Sequence, residues 1–133
     1  MTGFGQDIIP GRQPSRVPSG LRVLNGPASG RVFSLAGDPL IVGRSDPPAG
    51  TVDIDLTECE LGQTPVVSRR HCELRRAAGR LTVVALLDRN GTYVNGSRLL
   101  HAVTDQPSAP VELAVGDRLL LANVELEVVA DEP

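Results

Sequence analysis

The chain has no tryptophan and no lysine, and its aromatic residues are limited to Phe4, Phe33 and Tyr93. A core without large rings has to be filled by leucine, valine and isoleucine. Because lysine is missing, all 13 basic residues are arginine. The planar, permanently charged guanidinium of arginine suits bidentate binding of phosphate, although a coding bias toward arginine would give the same composition.

Long apolar runs are also missing. No stretch approaches the roughly 20 apolar residues that span a bilayer, and residues 1–10 lack an apolar signal core behind a basic start. We therefore expect a soluble, cytoplasmic protein. The formal net charge of -3 provides no general attraction to nucleic acid or to an anionic membrane. Any affinity for phosphate must come from arginines that cluster locally.

Cysteine is scarce, with Cys59 and Cys72 alone. Two cysteines are too few for a disulfide framework, and their spacing fits neither a redox pair nor a metal knuckle. We expect two free thiols. His71 stands beside Cys72, but adjacent residues of a strand point to opposite faces, so an imidazole-activated thiol is not expected. We predict instead that His71 hydrogen-bonds a loop, and His101 lacks the neighbours of a metal site.

A length of 133 residues is that of one domain with one core. Residues 1–20 are rich in glycine and proline and have little hydrophobic periodicity, which predicts a flexible N-terminal tail. The domain itself is predicted to span residues 21–130, followed by a short C-terminal tail at 131–133.

From Leu21 onward, short apolar or alternating runs are separated by glycine, proline, aspartate or asparagine, which is typical of an all-β sandwich. The candidate strands are Leu21–Leu24, Arg31–Leu35, Leu40–Gly43, Val52–Leu56, His71–Arg75, Leu81–Leu86, Thr92–Val94, Arg98–Leu100, Val111–Leu113, Arg118–Leu121 and Glu125–Val129. No segment of about ten residues has a capped helical period, so little helix is expected. Asn95-Gly96 predicts a type I′ hairpin turn, and Gly116-Asp117 predicts a second turn.

Three short polar clusters interrupt this pattern. They are Gly43-Arg44-Ser45, Ser68-Arg69-Arg70-His71 and Asn90-Gly91-Thr92, with Asn95-Gly96 just beyond. An arginine fork, a hydroxyl and an amide would converge from separate loops, as in many binding sites on rigid scaffolds. Each cluster alone has a plainer explanation, such as a solvated charge or a simple turn. A basic site for nucleic acid is a rival interpretation, but no aromatic residues interleave with the arginines.

In their order and spacing, the clusters resemble those of the forkhead-associated (FHA) domain, over about residues 21–129. The resemblance implies an eleven-stranded, antiparallel-rich β sandwich of the SMAD/FHA type, with its binding loops at one end. It also implies a non-enzymatic module that binds phosphothreonine in partner proteins.

The resemblance assigns residues by position. Arg44 and Ser68 correspond to the main phosphate contacts, and Asn90 corresponds to the residue that binds the peptide main chain. Arg69 and Arg70 are further basic contacts, while Arg89 replaces the serine or threonine that many members carry. The positions expected to shape the loops are Gly43, His71, Gly91, Thr92, Asn95 and Gly96.

The function implied is a signalling reader or adaptor downstream of a serine/threonine kinase. Its partner would be a threonine-phosphorylated protein or the kinase itself, with no cofactor, metal, nucleic acid or membrane insertion, and a monomer is favoured. The main alternative is a phosphate-independent scaffold or assembly protein with the same fold. A small enzyme acting on a phosphorylated substrate lacks an evident general base or nucleophile. A phosphorylated Thr2 that folds back onto the site is a further possibility.

Overall fold

The computed structural model describes residues 9–47 and 50–130, and these contain eleven β-strands. The strands are β1 Gly20–Val23, β2 Val32–Ser34, β3 Leu40–Gly43, β4 Ile54–Asp55, β5 Cys72–Ala77, β6 Arg80–Ala85, β7 Thr92–Val94, β8 Ser97–Arg98, β9 Val111–Leu113, β10 Arg118–Leu121 and β11 Val124–Val129. Within these residues, helical structure is limited to a 3₁₀ turn at Thr57–Cys59. The described residues contain no helix that is long and apolar enough to cross a membrane.

The strands form two sheets. The six-stranded sheet has the order β2-β1-β11-β10-β7-β8, and the five-stranded sheet has the order β4-β3-β5-β6-β9. The pairing is antiparallel apart from β3 and β4, which run parallel with Val42 opposite Ile54. The predicted all-β, antiparallel-rich sandwich of eleven strands is confirmed. Three strands are shorter than predicted: Arg31–Leu35 is reduced to Val32–Ser34, Val52–Leu56 is reduced to Ile54–Asp55, and Arg98–Leu100 is replaced by Ser97–Arg98.

The core lies between the sheets and consists mainly of leucine and valine, as the lack of aromatic residues predicted. Strand β11 shows the pattern directly, because Val124, Leu126 and Val128 are fully buried while the residues between them are half-exposed. This alternation follows from the two-residue period of a strand. Burying one such side chain stabilises the folded state by about 1.5–3 kcal/mol. The core therefore fixes the strands whose ends carry the loops.

The Asn95-Gly96 turn joins β7 to β8 as predicted. Both residues have positive φ, 49° and 87°, and Val94 pairs with Ser97 across the turn. These are the conditions of a two-residue type I′ hairpin. The Asn95 side chain also receives the backbone N–H of Arg118 at 2.9 Å and donates to Asp117 at 3.1 Å. The hairpin is therefore bound to the turn before β10.

Residues 9–19 contact the sandwich although they have no apolar periodicity. The backbone N–H of Gln13 donates to Val115 O at 2.7 Å, and Arg12 Nε forms an ion pair with the buried Asp117 at 2.8 Å. Backbone pairing and a buried carboxylate thus anchor this part of the predicted tail. The remainder of the predicted tails, 1–8 and 131–133, lies outside the described residues.

Both cysteines are free, as expected, and both are buried. Burial raises the pKa of Cys72 and that of Cys59. A thiol whose pKa is raised holds its proton and is a weak nucleophile.

Candidate binding groove

A groove of about 920 Å³ opens where four loops meet. The loops follow β3, precede β5, join β6 to β7 and join β8 to β9. The groove is lined by Arg44, Pro65, Val66, Val67, Ser68, Arg69, Arg70, Leu86, Leu87, Asp88, Arg89, Asn90, His101, Thr104 and Asp105. The structure therefore brings together all six residues that the sequence predicted to bind a phosphopeptide.

Arg44 is held firmly at the base of its loop. Its backbone N–H lies 3.2 Å from both Ser68 O and Arg69 O. Its side chain is half-buried, and Nε donates to Val67 O at 3.1 Å. Because Nε is used in this way, the two terminal nitrogens of the guanidinium remain as donors for a ligand.

Gly43 makes this arrangement possible. A Cβ at this position would lie 2.0 Å from Arg69 O and 2.8 Å from Ser68 O. Only glycine lets the end of β3 approach the 68–69 backbone so closely. The close approach sets Arg44 beside Ser68, although the two residues are distant in sequence.

The second and third clusters are joined by hydrogen bonds. Ser68 Oγ accepts the backbone N–H of Arg89 at 3.2 Å, which leaves its hydroxyl hydrogen to be donated. Asn90 Nδ2 donates to Val66 O at 2.8 Å. The loop before β5 and the loop before β7 are thus connected at two points along the groove.

His71 lies beneath these loops and is fully buried. Its Nδ1 accepts the backbone N–H of Ser68 at 3.1 Å, and its Nε2 lies 2.8 Å from Gly91 O. One ring nitrogen accepts and the other donates, which is the pattern of a neutral imidazole. Burial lowers the pKa of His71, in agreement with that form. The ring therefore bonds both the loop before β5 and the loop before β7. Gly91, which accepts from the ring, has a φ of 93°.

The groove carries an excess of positive charge, although the whole chain is negative. Arg44, Arg69, Arg70 and Arg89 all line it, against the carboxylates of Asp88 and Asp105. Arg69 is exposed and forms a weak ion pair with Asp46 at 3.4 Å. Positive charge that is concentrated in a cleft attracts anions.

Several groove residues were missed by the sequence analysis: Asp88, His101, Thr104 and Asp105. The loop between β8 and β9 carries the last three, and no local pattern indicates that it returns to the groove. Conversely, Asn95 and Gly96 belong to the β7–β8 hairpin and do not line the groove. Thr92 is buried at the start of β7. In the described part of the chain, no group of three or more histidine, cysteine or carboxylate residues could hold a metal.

Comparison with known proteins agrees with this geometry. The family model named FHA domain matches residues 40–122. A solved FHA domain from a structural and functional analysis of phosphothreonine-dependent FHA domain interactions is 27% identical, with a TM-score of 0.62 over 87% of this chain and 99% of that one. No curated protein matches significantly.

Two further solved structures share the fold. The FhaA FHA domain, crystallised with the intracellular domain of Rv3910, is 28% identical, with a TM-score of 0.57 over 82% of this chain and 97% of that one. The FHA domain of a hypothetical Arabidopsis thaliana protein is 21% identical, with a TM-score of 0.62 over 97% of this chain and 98% of that one. The family model covers more than half of the chain and solved FHA domains share its fold, so the chain belongs to the FHA domain family.

Proposed function

We propose that this chain is a phosphothreonine-dependent protein-binding module that reads a partner phosphorylated by a serine/threonine kinase. The observation that carries the proposal is the pairing of Arg44 and Ser68 in one groove, each bound by the backbone so that a donor remains for a ligand. The domain that binds the phosphorylated partner would span residues 21–130.

The chemistry of the groove suits a phosphate dianion. The terminal nitrogens of Arg44 and the Ser68 hydroxyl would donate to phosphate oxygens as charge-assisted hydrogen bonds. Arg69, Arg70 and Arg89 are exposed and would add charge around them. Because the loops are already connected through Ser68 and Asn90, little ordering is required when a ligand binds, which favours affinity.

Asn90 would bind the main chain of the ligand. Its amide already donates one hydrogen to Val66 O, which orients the group along the groove. The second N–H and the carbonyl oxygen of this amide are the donor and acceptor that an extended peptide requires. A peptide would thus be held by its phosphate and by its backbone.

Similar domains support the proposal. One solved relative at 27% identity comes from work on phosphothreonine-dependent interactions of FHA domains. Another, at 28% identity, is complexed with the intracellular domain of a protein partner.

A catalytic role is disfavoured by the surroundings of His71 and Cys72, the candidate base and nucleophile in the sequence. Both ring nitrogens of His71 are bonded to loop backbone, at Ser68 and Gly91. Cys72 is fully buried, and burial raises its pKa. Neither group can attack a ligand in the groove, so we propose binding without turnover.

The proposal is tested by measuring binding to degenerate peptide libraries that carry phosphothreonine, phosphoserine or unmodified threonine. Wild type, Arg44→Ala and Arg80→Ala should be compared. Arg80 is a matched control, because its exposed guanidinium pairs with Glu112 away from the groove. We expect selective binding of phosphothreonine, with a loss of about 10-fold to 150-fold in Arg44→Ala alone.

The methyl group of threonine is worth about 0.8 kcal/mol in an apolar contact, so the preference over phosphoserine should be about fourfold or more. Equal binding of phosphorylated and unmodified peptides would instead favour a phosphate-independent scaffold. Unchanged affinity in Arg44→Ala would refute the mechanism.

A further inference from the structure

His101 reaches the groove from the loop between β8 and β9. Its Nδ1 lies 2.7 Å from Gln106 O, and its Nε2 lies 2.7 Å from Asp88 Oδ1. Both neighbours are acceptors, a carbonyl and a carboxylate. The ring can donate to both only when both nitrogens carry hydrogen, which is the imidazolium form. His101 thus differs from His71, whose contacts select the neutral ring.

Asp88 is the residue that His101 binds. Its exposed fraction is 7%, and it lines the groove at the start of a turn in which Gly91 N donates to Asp88 O at 2.9 Å. That turn carries Arg89 and Asn90. Among the described residues, Asp88 Oδ2 has no hydrogen-bond partner. A buried carboxylate with so few partners is costly unless a positive charge lies beside it.

The groups that face His101 act on its pKa in opposite directions. The Gln106 carbonyl and the Asp88 carboxylate raise the pKa of His101, whereas burial and Arg98 lower it, and the result is a raised pKa. Arg44, Arg69, Arg70 and Arg89 share the groove with it, as does Asp105 of its own loop. His71 also interacts with the Asp88 charge, but its two ring contacts select the neutral form.

We propose that His101 is a positioning residue for phosphopeptide binding: its imidazolium holds Asp88 at the start of the turn that carries Arg89 and Asn90, and it cancels the Asp88 charge beside the bound phosphate. This inference rests on the proposed function. A negative charge within the groove repels a phosphate, and the closer the compensating cation, the smaller that repulsion. The salt bridge at 2.7 Å provides this compensation from a side chain outside the three predicted clusters.

A pH dependence follows with a definite sign. As pH rises through the raised pKa of His101, the ring loses its charge and one of its two donors, so Asp88 is left uncompensated and affinity should fall. Phosphothreonine gains its second negative charge as pH rises through a pKa of about 6, so this effect alone should increase affinity with rising pH. The two effects act in opposite directions, and a variant that cannot titrate at position 101 separates them.

The bridge itself can be tested without a ligand by following both histidine rings in a pH titration by NMR. Wild-type His101 should titrate above its usual pKa and His71 below it. In Asp88→Asn, the His101 pKa should fall, while the Gln106 contact remains. A His101 pKa that is the same in wild type and Asp88→Asn would overturn the inference.

The effect on binding is tested with a phosphothreonine peptide selected from the libraries, using wild type, His101→Gln and Val103→Ala. Val103 is a control in the same loop, since its exposed side chain does not line the groove. Wild type should bind about twofold to tenfold more tightly than His101→Gln near pH 6.5, and the ratio should approach one near pH 9. Val103→Ala should follow wild type at each pH.

A constant ratio across this range, in a protein that binds phosphopeptide, would overturn the role of His101 alone. A wild-type protein that binds no phosphopeptide at any pH would overturn the proposed function and this inference together. A merely structural role for His101 would lower affinity equally at every pH, so the pH profile distinguishes it from the positioning role.

Discussion

The Ser68 hydroxyl accepts a hydrogen bond from the backbone N–H of Arg89, with 3.2 Å between N and Oγ. This bond joins the loop before β5 to the loop before β7, across 21 residues of sequence. The accepting role directs the hydroxyl hydrogen elsewhere, toward any anion in the groove. Ser68 therefore contributes both to the shape of the groove and to its donors.

Ser68→Ala should weaken binding of a phosphothreonine peptide by about tenfold, because a charge-assisted bond is lost and Arg89 N–H loses its acceptor. The matched control is Ser97→Ala, which removes an exposed hydroxyl from β8, away from the groove. Fluorescence anisotropy with a labelled peptide measures both variants. Equal affinities for the two would contradict the assignment of Ser68.

Asn90 should be sensitive to the kind of replacement. Asn90→Ala removes the bond to Val66 O and the contacts proposed for the peptide backbone, so affinity should fall about tenfold. Asn90→Asp should bind more weakly still, because a carboxylate cannot donate to Val66 O and adds a negative charge to the groove. Calorimetric titration gives the order of the three affinities. Tighter binding in the aspartate variant than in the alanine variant would argue against the assignment.

Gly43→Ala should disrupt the groove from behind. The added Cβ would lie 2.0 Å from Arg69 O, so the 68–69 backbone has to move and the contacts of Arg44 N–H with Ser68 O and Arg69 O are strained. We expect a loss of about 1–3 kcal/mol in the free energy of unfolding, measured by urea denaturation. Gly79→Ala is a useful comparison, since no atom lies within 4 Å of a Cβ there although its φ of 77° carries its own cost. If Gly43→Ala is no less stable than Gly79→Ala, the backbone at Arg69 accommodates a Cβ at position 43 and the argument for glycine there is wrong.

The stability of the protein should decrease in mild acid through His71. Its pKa is lowered in the folded state by burial, so below about pH 6.5 the unfolded chain binds a proton that the folded chain resists. The free energy of unfolding should fall as pH falls through this window, by up to about 1.4 kcal/mol per pH unit. Urea denaturation at a series of pH values measures this slope.

Two variants isolate the contribution of His71. His71→Gln should be less stable near neutral pH, since it disturbs the bonds to Ser68 N and Gly91 O, and should lose the part of the acid slope that His71 causes. His101→Gln should keep that slope. His101 has a raised pKa, so its own stabilisation is complete below about pH 6.5 and is lost as pH rises through its folded-state pKa. An acid slope that persists in His71→Gln would assign the effect to other groups.

Much of the fold could be predicted from local sequence. The alternation in Glu125–Val129 identifies β11, since a strand exposes alternate residues. Asn95-Gly96 identifies the hairpin because few other pairs accept positive φ at both positions. The ends of β4 and β8 could not be predicted, because they depend on which residues of the neighbouring strand are available to pair.

Part of the groove could also be predicted from the sequence, because its main residues occur in short polar clusters between strands. Arg44, Ser68 and Asn90 were assigned through the resemblance of the ordered clusters to the FHA domain, and the structure brings all three to one groove. Their backbone partners could not be predicted, since the bonds of Arg44 to Val67 O and of Asn90 to Val66 O depend on how one loop passes another. His71 was predicted to bond a loop, and the ring contacts two.

By itself, the amino-acid sequence determined the strands, the tight turns and the polar clusters, because each depends on the preferences of neighbouring residues. Only the tertiary structure decided which distant groups meet. Arg12 pairs with Asp117 across 105 residues, and His101 reaches Asp88 from a different loop. These contacts arise from the packing of two sheets, which sets the distances between loops, and no local pattern encodes such distances.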